Sequence, residues 1–173
     1  VDLIIKNIMK FYEMADEVWI PQADVEETIR EYGFKGHVEV VDNGSDLHVD
    51  ETKQVLRQQA RKELGIPQDE NVFLFVGQHI WEKNTAFLIK TLETLGDFPF
   101  KMFFVGTGYA LKEMKMMVNN RHLSDKVTFV GTVVDRQLLT QYYAASDLFL
   151  FPSMYDNAPL VVREAAALQT PSL

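Results

Sequence analysis

The sequence has 173 residues with 17 Lys+Arg against 25 Asp+Glu, a formal net charge of −8, and no cysteine. That acidity disfavours nucleic acid and anionic lipid surfaces, and the missing thiols exclude disulfides, cysteine-ligated zinc and thiol catalysis. At 47% hydrophobic and 24% charged the composition is that of a globular protein, long enough to bury roughly 70% of its unfolded surface.

Residues 2–15 space Ile4, Ile8, Tyr12 and Ala15 along one face, predicting a helix with that row inward. Val18-Trp19-Ile20 before Pro21 reads as a short strand. Asp24 with Glu27 is patterned as a capping pair opening a helix to about Tyr32, stopped by Gly33. His37–Val41 alternates as a strand and Asp42-Asn43-Gly44 turns the chain, so a break in organisation is expected there. Residues 51–64 form a charged helix with Leu56, Ala60 and Leu64 inside, ended by Gly65 and Pro67.

From residue 71 the pattern is regular. Three apolar runs end alike, in Phe75-Val76-Gly77, Phe104-Val105-Gly106 and Phe129-Val130-Gly131, spaced by 29 and 25 residues. Each is short and continuous, as in a strand buried on both faces, and each is followed by a helical pattern, about 84–95, 109–119 and 135–145. A fourth strand fits Leu148–Phe151, with a helix near 160–168. Core positions are Phe87, Leu88, Leu92 and Leu95, then Leu111, Met114 and Val118, then Leu138, Leu139, Tyr142 and Tyr143. This alternation predicts right-handed crossovers and an α/β, Rossmann-like doubly wound parallel sheet. Ligands of such sheets sit at the strands' carboxyl ends, here Gly77–Lys83, Gly106–Tyr109, Gly131–Asp135 and Pro152–Pro159. The glycines there suit either close approach of a phosphate or plain packing.

Most site motifs are missing. Gly106-Thr107-Gly108 lacks the third glycine and the downstream acid of a dinucleotide fingerprint, and no Walker loop occurs. His37, His48, His79 and His122 are dispersed, so no metal is expected. Ser153 lacks a nucleophile-elbow context. Two stretches remain. In Gly77-Gln78-His79-Ile80-Trp81-Glu82-Lys83-Asn84 a lysine stands where the next helix begins, a placement favourable if an anion sits beside it. In Pro152 to Ala167 a strand ends, a polar turn follows, and Pro159 suits the first turn of a helix whose free amides at 158–161 are placed to bind a diphosphate. Glu164, one turn in, is positioned to accept ribose hydroxyls. By spacing alone Asp156 and Glu164 read as solvated acids.

On these motifs the sequence resembles the retaining, nucleotide-sugar-dependent glycosyltransferases of the GT-B fold, family 4 (group 1), over about residues 36–171. Six landmarks follow in family order: Asp42-Asn43-Gly44-Ser45-Asp46, the loop from Phe75 to Asn84, Val105–Gly108, Val127–Gly131, Ala145–Ser153, and Asp156 to Glu164 with E-x7-E spacing. The resemblance implies that Lys83 neutralises the donor diphosphate, Glu164 holds the ribose, and Asp156 lies near the donor sugar. Those three form the implied catalytic set. Asn157, Ala158, Pro159 and Leu160 would lie beside the sugar and phosphates, Gly77 and Gln78 in the phosphate loop, and the turn after Gly131 near the base. No cofactor or metal is implied, since the nucleotide-sugar, UDP-sugar first, is a substrate. The acceptor is open among sugar, lipid and glycan.

The family's phosphate-loop arginine is Gln78 here, its first glutamate is Asp156, and its late helix glycine is Gln169. A nucleotide-sugar epimerase of the same fold and a non-catalytic nucleotide-binding module are the alternatives. The resemblance divides the chain into residues 1–36, the tail of a preceding Rossmann-like domain, 37–50, an interdomain strand and turn, and 51–173, a nucleotide-sugar-binding domain incomplete at its C-terminus. The chain starts at Val1 without Met and stops just after a helix-like segment, so an excerpt truncated at both ends and inactive alone is expected. No run of about 18 apolar residues and no signal peptide occurs, and a cytoplasmic location, peripheral to a membrane through another domain, is expected.

Overall fold

The computed structural model describes residues 2–47 and 49–173, and His48 lies outside the described residues. The chain divides into two compact units, Val1–Gly44 and Ser45–Leu173.

The first unit runs α1 (Asp2–Tyr12), β1 (Val18–Ile20), α2 (Asp24–Glu31), β2 (Val38–Val40). The strands pair in parallel, Val18 opposite Val38. Its core is Met9, Ile20, Ile29 and Phe34, with Ile5, Tyr12, Val18, Val25 and Val38 against it. The expected inward row of α1 is corrected: Ile4 and Ile8 are 65% and 42% exposed, and the buried row is Ile5, Met9, Tyr12. Leu3, Ile4, Ile5, Ile8, Met9 and Phe11 are apolar nearly all round the helix, so spacing alone admits two adjacent rows, and packing on Ile29 and Phe34 selects one. The capping pair is also corrected. Ala23 occupies the cap position of α2 in helical conformation with no side-chain bond, and Asp24 instead accepts from the Gln22 amide at 3.1 Å. The stop is as read: Gly33 sits at φ +93°, and the N–H groups of Gly33 and Phe34 bond the carbonyls of Arg30 and Ile29 in a Schellman arrangement.

The second unit runs α3 (Lys53–Leu64), β3 (Val72–Val76), a 3-10 turn (Trp81–Lys83), α4 (Thr85–Glu93), β4 (Lys101–Val105), α5 (Leu111–Asn120), β5 (Val127–Gly131), α6 (Arg136–Ala145), β6 (Leu148–Phe149), α7 (Leu160–Ala167). The sheet order is β5-β4-β3-β6, parallel throughout. Alternate strand residues reach opposite faces: Phe75, Met102 and Phe104 pack with Leu88, Ile89, Met114 and Val118 of α4 and α5, whereas Leu74 and Val105 pack with Leu139, Tyr143, Ala165 and Leu168 from α6, α7 and the residue after it. Helices therefore cover both faces, as in the doubly wound fold the alternation predicts. Phe87, expected in the core, is 57% exposed at the edge of the α4 packing row.

The fourth strand is shorter than read. Its paired register with β3 ends at Phe149: Leu150 N–H still donates to Leu74 O, but the next position facing β3 is Pro152, which has no N–H, while Phe149 and Phe151 direct their N–H groups to the carbonyls of Pro171 and Leu173 on the other side. Among the described residues no helix is long and apolar enough to cross a membrane.

Candidate functional site

Strand order reverses at β3, which has β4 on one side and β6 on the other, so the loops after these strands border the crevice where such sheets take ligands. There Gly106 and Gly108 act by packing. A Cβ on Gly106, at φ +126°, would stand 2.0 Å from the Gly77 carbonyl oxygen, and one on Gly108 would stand 2.3 Å from that of His79. Their absence lets the loops zip together: Gly77 N–H donates to Val105, His79 N–H to Thr107, Gly106 N–H to Gly131 and Ala110 N–H to His79, at 2.8–3.0 Å. The zipped loops floor an open cleft of about 390 Å³, lined by Gly77, Gln78, Thr107, Thr132 and Val133 among others. The Gly131 carbonyl is thus used in the loop packing, and its turn leads into the cleft wall.

Lys83 closes the 3-10 turn ahead of α4, not the helix itself, and its ammonium pairs with the Asp156 carboxylate, 73 residues away. The side chains are 23% and 22% exposed, so Asp156, at the surface, is a paired acid and not the freely solvated one that spacing suggests. The turn is held from the side by Tyr109, whose hydroxyl accepts from Trp81 N–H at 3.2 Å and donates to Glu82 at 2.5 Å. That bond lowers the Glu82 carboxyl and raises the Tyr109 hydroxyl. Asn84 completes the bend in left-handed conformation, φ +55°.

Beyond Asp156 and the exposed Asn157, Ala158 is buried at φ +46°, a conformation that costs a non-glycine residue roughly 1–3 kcal/mol. Pro159 follows as the helix cap at φ −65°, ψ 120°, and α7 begins at Leu160, so Pro159 stands immediately before the first turn.

Glu164 is likewise not solvated. Its side chain is 13% exposed, Oε1 accepts from Arg136 Nη1 at 2.9 Å, and Oε2 accepts from the Tyr143 hydroxyl at 2.9 Å. Arg136 also pairs through Nη2 with Asp46. Burial, then Glu164, pushes the Tyr143 hydroxyl well up, and the hydrogen bond with Glu164 raises Arg136. Sequence reasoning missed this network. Tyr143 is fully buried, as a core position should be, yet its hydroxyl carries a polar contact. The available signal for Arg136 is Asp135, which caps α6 by accepting from Gln137 and Leu138 N–H, so the next side chain leaves a pinned first turn.

Gln169, where the resembled family has glycine, does adopt φ +55°, and its amide accepts from Lys53 N–H and donates to Glu51 O at 3.0 Å, tying α7 to the start of α3. In the first unit His37 lies 3.3 Å from Glu17 and 3.9 Å from Glu39, an exposed group with ligand atoms within 4.8 Å of one another that histidine spacing did not reveal.

The chain is 35% identical over 115 residues to the Bacillus subtilis (strain 168) protein TuaC, provisionally named a teichuronic acid biosynthesis glycosyltransferase, covering 66% of this chain and 27% of that one. It superposes on sucrose-phosphate synthase from Thermosynechococcus elongatus with a TM-score of 0.82 at 25% identity, covering 99% of this chain and 43% of that one. The Anabaena protein HepE, solved with UDP and glucose, shares the fold at a TM-score of 0.82 and 18% identity, over 99% of this chain and 48% of its own. The chain thus spans less than half the length of each. Residues 57–173 match the family described as glycosyl transferases group 1. With that match over most of its length and the GT-B type of α/β fold, the chain belongs to the group 1 glycosyl transferases.

Proposed function

We propose that the second unit holds the nucleotide-sugar donor of a retaining family 4 glycosyltransferase, and that the whole protein moves a hexosyl group from a UDP-sugar to an acceptor. The observation that supports this reading is the ion pair between Lys83, on the loop after β3, and Asp156, on the loop after β6, two neighbouring strands at the strand-order reversal, with Glu164 in the helix that follows. HepE bound to UDP and glucose is a relative in fold whose ligands fit the reading.

Breaking the bond between the anomeric carbon and the diphosphate leaves the electron pair on a phosphate oxygen, so the main electrostatic task is to stabilise that anion. Lys83 is suited to it: an ammonium has three donors and can keep Asp156 while meeting a phosphate oxygen. Asp156, with Asn157, Ala158, Pro159 and Leu160, then borders the donor sugar. Glu164 takes the ribose hydroxyls on its remaining lone pairs, and Gly77, Gln78 and the turn after Gly131 wall the nucleotide. In the intact protein, Lys83→Ala should lower transfer from UDP-sugar by about 10²-fold or more, the scale of losing one group that stabilises transition-state charge, and Glu164→Ala should lower it by about tenfold or more through weaker donor binding, the scale of lost hydrogen bonds to a charged group. A variant that transfers at the wild-type rate would remove its residue from the mechanism.

Gln78 lines the cleft without charge. Gln78→Arg supplies a bidentate phosphate donor and is expected to tighten UDP binding about tenfold, roughly 1.4 kcal/mol, measurable by calorimetric titration. Unchanged affinity would place the diphosphate away from residue 78.

A further inference from the structure

We propose that Arg136, Tyr143 and Asp46 form a positioning relay that sets Glu164 to distinguish the ribose diol of the bound nucleotide from a sugar lacking both hydroxyls; this deepens the donor-site reading and rests on it. The group is continuous. Asp46 holds Arg136 Nη2, Arg136 Nη1 meets Glu164 Oε1 at 2.9 Å, and the Tyr143 hydroxyl meets Glu164 Oε2 at 2.9 Å. Each carboxylate oxygen therefore has one donor from the protein and one lone-pair site left, and a carboxylate of this kind offers about four acceptor positions in all.

The two donors come from one helix, α6, at its first residue and two turns on. They do different work. Tyr143 is fully buried and packs its ring, tilted, 5.6 Å from that of Phe149, so its hydroxyl is a fixed point. Arg136 is 45% exposed and is kept in place by Asp46 and by its own pinned helix start. With one donor on each oxygen the carboxylate cannot rotate about its terminal bond without losing both. The free lone pairs are thereby aimed, and two acceptors of set direction match a vicinal diol, not a single hydroxyl. A carboxylate free to turn would accept from either equally.

The test uses the full chain and two probes, UDP and 2′,3′-dideoxyuridine 5′-diphosphate, titrated calorimetrically. Wild type should bind UDP more tightly than the dideoxy nucleotide. Arg136→Gln and Tyr143→Phe should each weaken UDP about 5–10-fold, the scale of one ordinary net hydrogen bond, and leave dideoxy binding unchanged. Arg136→Lys should recover part of the UDP affinity, and Asp46→Asn should lose part of it. Equal losses for both nucleotides, or no loss for UDP, would overturn the relay, since a fold defect or a phosphate contact weakens both probes alike. Wild type binding both probes equally, or neither, would instead remove the assignment of Glu164 to the ribose, and the relay with it.

Discussion

Replacing Arg61 with alanine is expected to lower the melting temperature of the second unit by about 10 °C, from a loss of about 3 kcal/mol. Arg61 is fully buried on α3 with every nitrogen in use. Nε donates to Ala145 O at 2.9 Å, Nη1 to the carbonyls of Pro67, Gln68 and Glu70 at 2.7–3.1 Å, and Nη2 to Asp147 at 2.8 Å. One guanidinium thus ties the end of α6, the loop before β3 and the entry to β6 to a single helix. Truncation strands several carbonyls and leaves a void. The loss stays at the low end for a broken buried pair because Asp147 is 34% exposed and keeps Arg57 at 2.8 Å. Arg61→Lys should recover little, since one ammonium cannot span the fork. Burial works to raise the Asp147 carboxyl, but the Val72 N–H and both arginines outweigh it and hold it below its ordinary 3.8. Its contribution is therefore complete above pH 3.8 and is lost as pH falls through the lower folded value. A thermal scan of Arg61→Ala within about 2 °C of wild type would refute the assignment.

Arg61 also shows where sequence reading stops. The repeated Phe-Val-Gly endings and the periods after them are local patterns, and they carried the strands, helices and fold class. Nothing local distinguishes Arg61 from the exposed charges of the same helix, because its partners lie 6 to 86 residues away. The candidate site has the same division. Spacing placed Lys83 after a strand and Glu164 in a helix start, but reported Asp156 and Glu164 as solvated, since their partners arrive from other loops and helices. In α1 the error was of another kind: an apolar ring leaves the inward row undetermined until a neighbour chooses it. Gln169 was legible as a departure from the family glycine, yet not as a residue that keeps the left-handed backbone and uses its amide to bind another helix.

His79→Leu is expected to stabilise the protein by about 1–3 kcal/mol at pH 7, the usual penalty for buried polar atoms left without partners. The His79 side chain is fully buried, and neither Nδ1 nor Nε2 has a hydrogen-bond partner among the described residues. Its neighbours are rings: Phe75, Phe104 and Phe129, with centroids 6.0–6.1 Å away. The backbone of His79 is fully used, its N–H on Thr107 and its carbonyl under Ala110, and leucine keeps both bonds. Leucine is close in volume and has no polar atom to strand, so it gains what the imidazole forfeits. Burial, then the Lys115 ammonium, which sits 5.7 Å over the Phe129 ring, lowers the imidazole from its ordinary 6.5. The unfolded chain therefore binds more protons than the folded one below pH 6.5, and wild type should lose stability as pH falls from about 6.5 towards 5. In His79→Leu that part of the slope disappears, so the gain over wild type should be larger at pH 5 than at pH 7. Urea unfolding of both proteins at the two pH values measures it; a variant that is less stable than wild type at pH 7, or that keeps the wild-type slope, would show that the imidazole is satisfied within the ring cage.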